Sequence, residues 1–361
     1  MDRERMLGLD ATRGVAALSV MLFHFTQVRG RHVLLPNSYL AVDLFFCLSG
    51  LVLWRAYAAR LAQGLSLRRL MLERVIRLYP IYLVGAVLGL CSLALMAANG
   101  RTDVSVFQAL GRIWVLFPDF SGHAIMQGDD RMSGLLFPEN NPSWSLFFEV
   151  LLAPLLFLLR GLGRWGGWLL AGLLMWGWLK LSALLGQNMA GGWSVDTFWL
   201  GFPRSAYAFV VGACLGMGPA PGQILRRVPP GVVVGVVSLM LLVCWSLPVS
   251  VFGTANRMML LVAGGLIPLL VWLHHAVPLV GRAAVWARRI GEWSYPVYVI
   301  HMPVLLGLNE LSWLFTHHAP SLQWLLPTAI CLSLLAAHVL ARHVDVPGRR
   351  WLGAHLLRQG N

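Results

Sequence analysis

Charged residues are scarce in this chain. Only 12% of its 361 residues are charged, whereas 58% are hydrophobic, and the mean hydropathy is +0.69. A soluble globular protein of this length has too small an interior to bury so much apolar surface. The composition therefore excludes an ordinary soluble protein and predicts an all-α, polytopic bundle of membrane helices.

Cysteine is also scarce, with five residues in the chain. They are spaced neither for a zinc site nor for a framework of disulfides. All five fall in predicted membrane spans, where a free cysteine packs as a small apolar side chain. The sequence therefore predicts no metal site. The five are Cys47, Cys91, Cys214, Cys244 and Cys331.

Several kinds of segment are missing. The first apolar stretch contains His24 and has no small-residue cleavage pattern before Arg29, so it does not read as a cleavable signal peptide. The longest segment between spans, about 99–142, is too short for a core of its own. No RNA- or DNA-binding motif accompanies the net charge of +13, which we interpret as a topology signal and as contact with anionic lipid head groups. We therefore expect one membrane domain over 1–361, with no appended soluble domain and no nucleic-acid partner.

Long apolar stretches recur along the chain. A helix needs about 20 residues to cross the hydrocarbon core. The hydropathy predicts about ten transmembrane helices, at 11–28, 39–57, 79–98, 143–160, 166–185, 198–217, 231–250, 258–275, 294–312 and 321–342.

The distribution of arginine predicts the orientation of these spans. With the N-terminus in the cytoplasm, twenty arginines fall in cytoplasmic segments and six in outside loops. Because positive residues are enriched in the cytoplasmic loops of membrane proteins, both termini are expected in the cytoplasm.

Ionisable side chains at membrane depth are rare and point to function. His24 follows Arg13 by eleven residues in the first span, which is roughly 16 Å along a helix. Asp43 and Glu149 lie one to two turns into spans that enter from outside, so the three side chains are expected to share one layer. A histidine flanked by carboxylates suits general-base chemistry on a hydroxyl group.

Arginines mark the opposite level of the membrane. Arg74 and Arg77 lie on one face of a helical run that precedes Tyr79 and Pro80, at the same cytoplasmic edge as Arg13. Such a fork of guanidinium groups suits phosphates. A donor with an anionic head and a long thin arm would bridge the two levels.

Five motifs, in order along the chain, resemble those of the integral-membrane acyltransferases called acyltransferase family 3. The resemblance covers nearly the whole chain. In the last span, Asp345-Val346-Pro347 departs from the family's more frequent Glu-x-Pro. The motifs are Leu9-Asp10-x-x-Arg13-Gly14 through His24; Val42-Asp43-Leu44-Phe45-Phe46-x-Leu48-Ser49-Gly50; Arg74-x-x-Arg77-Leu78-Tyr79-Pro80; Trp144-Ser145-Leu146-x-x-Glu149; and Gly291-x-x-Ser294-Tyr295-x-x-Tyr298-x-x-His301-x-Pro303.

The resemblance implies an O-acyltransferase of the bacterial inner membrane. Family members move an acyl group, usually acetyl from acetyl-CoA, to hydroxyls of cell-surface glycans or small glycosylated molecules. The implied partners are acyl-CoA, a carbohydrate or glycosylated acceptor and membrane lipids, with no bound cofactor. The implied site residues are His24 as general base with Asp43 and Glu149; Arg13, Arg74, Arg77 and Tyr79 for the donor; and Asp10, Ser49, Trp144, Ser145 and His301 in support.

Plainer roles stay open for these residues. Asp43 would also fit a buried ion pair or a helix cap, and Glu149 would fit a pair with Arg204. The arginines of the third helix would serve equally as topology signals. His301 would either orient the donor or form a structural hydrogen bond in the bundle.

A transporter or flippase of a glycan-type substrate is the alternative function, because intramembrane His, Asp, Glu and Arg also mark proton-coupled carriers. Such carriers often carry internal repeats with paired broken helices. This chain has no evident repeat, and its motifs fall mostly in the first half. The sequence leaves open the acceptor, the acyl group, the oligomeric state and which carboxylate partners His24.

Overall fold

A computed structural model describes residues 6–27, 34–127, 130–219, 228–274 and 279–357 of the chain. Over these ranges the chain is almost entirely helical. The helices are α1 (Leu7–Gln27), α2 (Ala41–Ala62), α3 (Leu67–Ala98), α4 (Val106–Arg112), α5 (Ser143–Leu152), α6 (Leu155–Leu184), α7 (Phe198–Met217), α8 (Pro230–Ser246), α9 (Ala255–Met258), α10 (Ile267–His274), α11 (Gly281–Thr316), α12 (Leu322–Leu340) and α13 (Val346–Leu356).

Seven helical segments in the described ranges are long and apolar enough to cross a membrane. Four of them include a short helical turn or a wider π-helical stretch next to a named helix. The chain is therefore a multi-pass helical membrane protein. The segments are Ser38–Ala62, Leu67–Ala98, Leu155–Leu184, Val195–Met217, Ala255–His274, Gly281–Thr316 and Leu322–Leu356.

Several predicted boundaries need correction, because α3, α6 and α11 begin at Leu67, Leu155 and Gly281, about three turns before the predicted starts at 79, 166 and 294. The span expected at 143–160 is not one helix, because α5 ends at Leu152 and α6 begins at Leu155. Within α6, Gly163 has a φ of +66°, which breaks the helix a second time. Some arginines of the topology count lie outside the described residues, as do the ends of the spans predicted to finish at 28 and 275. These arginines are Arg3, Arg5, Arg29, Arg31, Arg226, Arg227 and Arg358.

Two long helix pairs form the centre of the bundle. Helix α2 packs along α7, and α1 packs along α11, which also contacts α3 and α12. A side chain at Gly50 would collide with the backbone carbonyl of Phe209, so the close crossing of α2 and α7 requires glycine there. Small residues at such crossings are the usual means of close helix packing in membranes.

The segment between α3 and α5 carries structure that the hydropathy did not predict. Strands β1 (Ala124–Gln127) and β2 (Asp130–Ser133) pair antiparallel. The following loop is tied to α11, where Pro303 leaves the carbonyl of Val299 without its usual helical donor. The side-chain amide of Asn140 donates to that carbonyl at 3.0 Å. This bond anchors the loop that begins α5, the helix of Glu149.

Candidate active site

Three cavities follow one another through the bundle. We call the end where α1 begins the near end and the end where α1 finishes the far end. The vestibule, at the near end, has a volume of about 870 Å³. The middle cavity measures about 160 Å³, and the far pocket about 370 Å³.

Shared residues join the three cavities. Arg13 and Arg77 line both the vestibule and the middle cavity, as do Leu48 and Val52 of α2. Val42 and Tyr298 line both the middle cavity and the far pocket, so the three cavities adjoin one another in series, with the smallest in the middle.

The vestibule is strongly basic. Among the described residues its lining includes seven arginines and three carboxylates, Asp10, Glu292 and Asp345. In the part of the chain that the structure describes, four of the arginines have no ion-pair partner, namely those at 288, 289, 342 and 350. The full set is Arg13, Arg77, Arg288, Arg289, Arg342, Arg349 and Arg350.

Arg13 is held where α1 approaches α11. Its Nε donates to the hydroxyl of Ser294 at 2.8 Å, and its terminal nitrogen donates to Asp10 and to the carbonyl of Gly291, each at 2.9 Å. Gly291 is required for this approach, because a Cβ there would collide with Asp10. Asp10 therefore contacts Arg13, a residue of the same motif.

The arginines of α3 have different partners. Arg74 is buried and pairs with Glu149, which also accepts from Ser49 at 3.2 Å. Arg77 lies 3.5 Å from Asp345 and over the ring of Tyr295, at 5.5 Å from its centre. Arg77 therefore faces the vestibule, whereas the charge of Arg74 is compensated inside the middle cavity.

The expected layer of His24, Asp43 and Glu149 is wrong for Glu149, whereas Asp43 pairs with Arg204, which lines the far pocket together with His24. Glu149 lies in the middle cavity with Arg74. Asp43 is fully buried and binds Arg204 through both carboxylate oxygens, at 2.7 and 2.9 Å. Asp43 therefore forms the buried ion pair that was one of its open roles. Arg204, which the sequence suggested as a partner of Glu149, pairs with Asp43 instead.

His24 lines the far pocket, and its partner is a histidine rather than a carboxylate. Its Nδ1 lies 2.9 Å from Nε2 of His301, which is fully buried on α11. The two rings meet edge to edge through these nitrogens, with centres 5.1 Å apart and planes inclined by 27°. His301, expected only as support, is therefore in direct contact with the predicted base.

The remaining predicted residues divide between the cavities. Ser145 lines the middle cavity and bonds the hydroxyl of Tyr298 at 2.7 Å, while Trp144 lines the far pocket. Tyr79 lines none of the three cavities, because its hydroxyl donates to the carbonyl of Trp114 at 3.2 Å. The expectation that Tyr79 stands beside the arginines is wrong, and Tyr295 occupies that place.

The far pocket carries side-chain amides that the sequence did not single out, next to two tryptophan rings. The charge of Arg204, which also lines it, is compensated by Asp43 and by the carbonyls of Ala190 and Gly191. Planar amides that donate and accept hydrogen bonds, next to tryptophan rings, suit a neutral ligand rich in hydroxyl groups. The amides are Gln27, Gln127, Asn141, Gln187 and Asn188, and the tryptophans are Trp144 and Trp193.

Metal-binding geometry is lacking over the described ranges, where no group of three or more His, Cys, Asp or Glu side chains converges. The polar groups that converge on the cavities are the arginines, the histidine pair and the hydroxyl groups.

A family model described as an acyltransferase domain matches residues 6–342. The chain therefore belongs to acyltransferase family 3. The curated protein named Protein 2 in picA locus, from Rhizobium radiobacter, is 47% identical over 96 residues. That alignment covers 26% of this chain and 46% of the relative, so the chain spans about half the length of the relative it matches. No solved structure matches the chain.

Proposed function

We propose that this acyltransferase moves an acyl group, acetyl in the simplest case, from cytoplasmic acyl-CoA to a hydroxyl of a glycan or glycosylated small molecule outside. One observation carries this proposal: a basic vestibule, a small middle cavity and a pocket with a histidine adjoin one another in series through the bundle. Each cavity suits a different part of the reaction.

The near end is the cytoplasmic side in this proposal. The arginine asymmetry supports it, with both termini in the cytoplasm and about ten spans in a bacterial inner membrane. The described portion of the vestibule carries seven arginines against three carboxylates, a net of four positive charges. The pyrophosphate and 3′-phosphate of CoA together carry about four negative charges at neutral pH.

The middle cavity suits the thin arm of the donor. Its small volume excludes both a nucleotide head and a sugar chain. Arg13 and Arg77 stand where the vestibule narrows, so they would hold the phosphates nearest the arm. Arg74, already paired with Glu149, would shape the passage rather than bind phosphate.

The far pocket is where acyl transfer would occur. An acceptor hydroxyl gives its proton to the imidazole of His24 while its oxygen attacks the thioester carbonyl carbon. The carbon–sulfur bond then breaks, and the sulfur leaves as thiolate and takes that proton back from His24. The products are an ester and free CoA, and only the acyl group crosses the barrier between the two sides.

Sealed vesicles of known orientation test this proposal. Membranes from source cells that lack the gene supply the native acceptor, and the purified protein is inserted with [¹⁴C]acetyl-CoA on one side only. We expect label in glycans when acetyl-CoA faces the near end, without any ion gradient. Equal transfer with donor and acceptor confined to the far side would overturn the vectorial arrangement.

The transporter alternative makes a different prediction. A carrier would move substrate without releasing CoA thiol, and it would respond to a proton gradient. Thiol release by purified protein in detergent, where no gradient exists, separates the two functions.

A further inference from the structure

We infer that His301 is a positioning residue, which holds the proton of His24 on Nδ1 so that Nε2 is the nitrogen that acts as base. The inference rests on the proposed role of His24 and adds the residue that leaves Nε2 of His24 free to accept a proton. It follows from two hydrogen bonds in sequence along the histidine pair.

The first bond determines the protonation of His301. Its Nδ1 lies 3.1 Å from the carbonyl oxygen of Val297, one turn earlier in α11. A carbonyl oxygen only accepts hydrogen bonds, so Nδ1 of His301 must carry the hydrogen. A neutral imidazole has a single N–H, and Nε2 of His301 is therefore an acceptor.

The second bond transfers this constraint to His24. Nε2 of His301 lies 2.9 Å from Nδ1 of His24, and because Nε2 accepts, Nδ1 of His24 donates. The single N–H of neutral His24 is then used, which leaves Nε2 of His24 with a free lone pair. His24 lines the far pocket, where an acceptor hydroxyl would meet this lone pair.

No carboxylate takes this orienting role in the described structure. Asp43 is committed to Arg204, and Glu149 is committed to Arg74 and Ser49. His301 is fully buried between the ring of Phe25 and that of Tyr298, with ring centres 6.2 and 6.1 Å away, so its orientation is constrained by packing. A neutral histidine thus occupies the position that an acidic residue holds in many hydrolytic sites.

The histidine pair also stabilises the protonated form of His24 that arises during acyl transfer. When Nε2 of His24 takes the hydroxyl proton, Nδ1–H still donates to His301, and the same bond now carries a positive donor. Charge-assisted hydrogen bonds are stronger than neutral ones, so His301 stabilises the imidazolium more than the neutral ring. The proton returns from Nε2 to the thiolate, and His301 keeps its own proton throughout.

Two conservative variants separate this role from a structural one. In H301N the side-chain amide reaches the place of Nδ1 and keeps the bond to Val297, but it leaves nothing to accept from His24. In H301Q the longer side chain brings its amide oxygen near the place of Nε2, so it accepts from His24 and gives up the Val297 bond. A positioning role favours H301Q, whereas a purely structural role favours H301N.

The assay is release of CoA thiol by purified protein, with acetyl-CoA as donor and a membrane extract of source cells lacking the gene as acceptor. We expect kcat to fall about 10²-fold in H301N and H301A, near the lower end of what a general base contributes. In H301Q we expect kcat within about tenfold of wild type, the difference reflecting imperfect geometry. KM for acetyl-CoA should stay unchanged in all three, because the vestibule is untouched. H301N as active as H301Q, or more active, would overturn the inference.

A double variant distinguishes failure of this inference from failure of the proposed function. If His301 acts only through His24, H24A/H301A has the same residual activity as H24A, whereas a further loss would give His301 an independent role. If H24A is as active as wild type, the proposed base is wrong. If H24A is inactive while H301N equals wild type, only the positioning role fails. A loss confined to KM, or to the amount of folded protein with kcat unchanged, would also count against positioning.

Discussion

The two ends of the bundle handle charge in opposite ways. In the described part of the near end, seven arginines share a large cavity with three carboxylates, and several have no ion-pair partner. At the far end, Arg204 is compensated by Asp43 and backbone carbonyls, and His24 bonds a neutral partner. The near end suits a polyanion, and the far end suits proton transfer away from uncompensated charge.

In the proposed mechanism, this difference explains why binding of the CoA phosphates and proton transfer by His24 occur at opposite ends of the helices. A free guanidinium beside the base would oppose protonation of the imidazole, because like charges repel strongly in a medium of low dielectric constant. Separating the arginines from His24 by a narrow passage avoids that repulsion. Changing the charge at either end tests whether this contrast matters for function.

The largest expected effect comes from removing the proposed base. H24A should lower acyl transfer by about 10² to 10⁴-fold, the usual contribution of general-base assistance. Binding of acetyl-CoA, measured by titration calorimetry in detergent, should be unchanged because the vestibule is intact. His318 is an exposed far-end histidine, and H318A serves as the control with wild-type turnover. Substantial acyl transfer by H24A would mean that the far end does not supply the general base.

The next effect concerns the compensated charge at the far end. Asp43 and Arg204 are each about 1% exposed, and D43N leaves the guanidinium buried without its counter-charge. Losing one partner of a buried pair typically costs about 3 to 5 kcal/mol of stability. We expect thermal unfolding in detergent at a clearly lower temperature. The double variant D43L/R204L should be less destabilised than D43N, since it leaves no buried charge.

A catalytic role for Asp43 predicts a different result. The unfolding temperature of D43N would then equal that of wild type, while kcat per folded molecule would fall. Measuring kcat per folded molecule and the unfolding temperature on the same sample decides between the two roles.

A third effect is the pH dependence of stability that the buried carboxyl of Glu139, at the far end, produces. Burial raises the pKa of Glu139, in the loop before α5, to about 7 from an ordinary value of 4.5. The folded protein therefore keeps a proton that the unfolded chain releases between these values, and stability falls as the pH rises from about 4.5 to about 7. E139Q stays neutral, so it should exceed wild type in stability by about 2 to 3 kcal/mol at pH 8. Near pH 4 the two should be equal.

Chemical denaturation at several pH values measures this difference. Asp130 is an exposed carboxylate in the hairpin, and D130N should follow the wild-type curve. A difference between E139Q and wild type that is the same at pH 4 and pH 8 would contradict the assignment.

The smallest effect is expected at the near end, where many arginines share the task. R342A/R350A should raise KM for acetyl-CoA by about tenfold, because each exposed arginine contributes only part of the attraction for phosphate. KM for acetyl-pantetheine, which lacks the phosphates and the nucleotide, should not change. Arg68 is exposed on the same end but does not line the vestibule, so R68A should leave both values unchanged. Equal losses with both donors would mean that these arginines do not contact the head of CoA.

Much of the fold and part of the candidate site could be predicted from the sequence. Runs of apolar residues are a local property, and they identified most helices. The motif residues Arg13 and His24 were placed at different depths of one helix, and the structure keeps them in different cavities. Tyr79 and the broken helix near Leu152 were misplaced, since neither hydroxyl partners nor helix breaks follow from hydropathy.

What the sequence by itself determined is a helical membrane protein of a known acyltransferase family, with arginine at one level and histidine at another. Only the tertiary structure decided which side chains meet. His24 and His301 are 277 residues apart, and Arg204 lies 161 residues beyond Asp43. The physical reason is that hydropathy depends on neighbours along one helix, whereas pairing depends on how distant helices rotate and pack against each other.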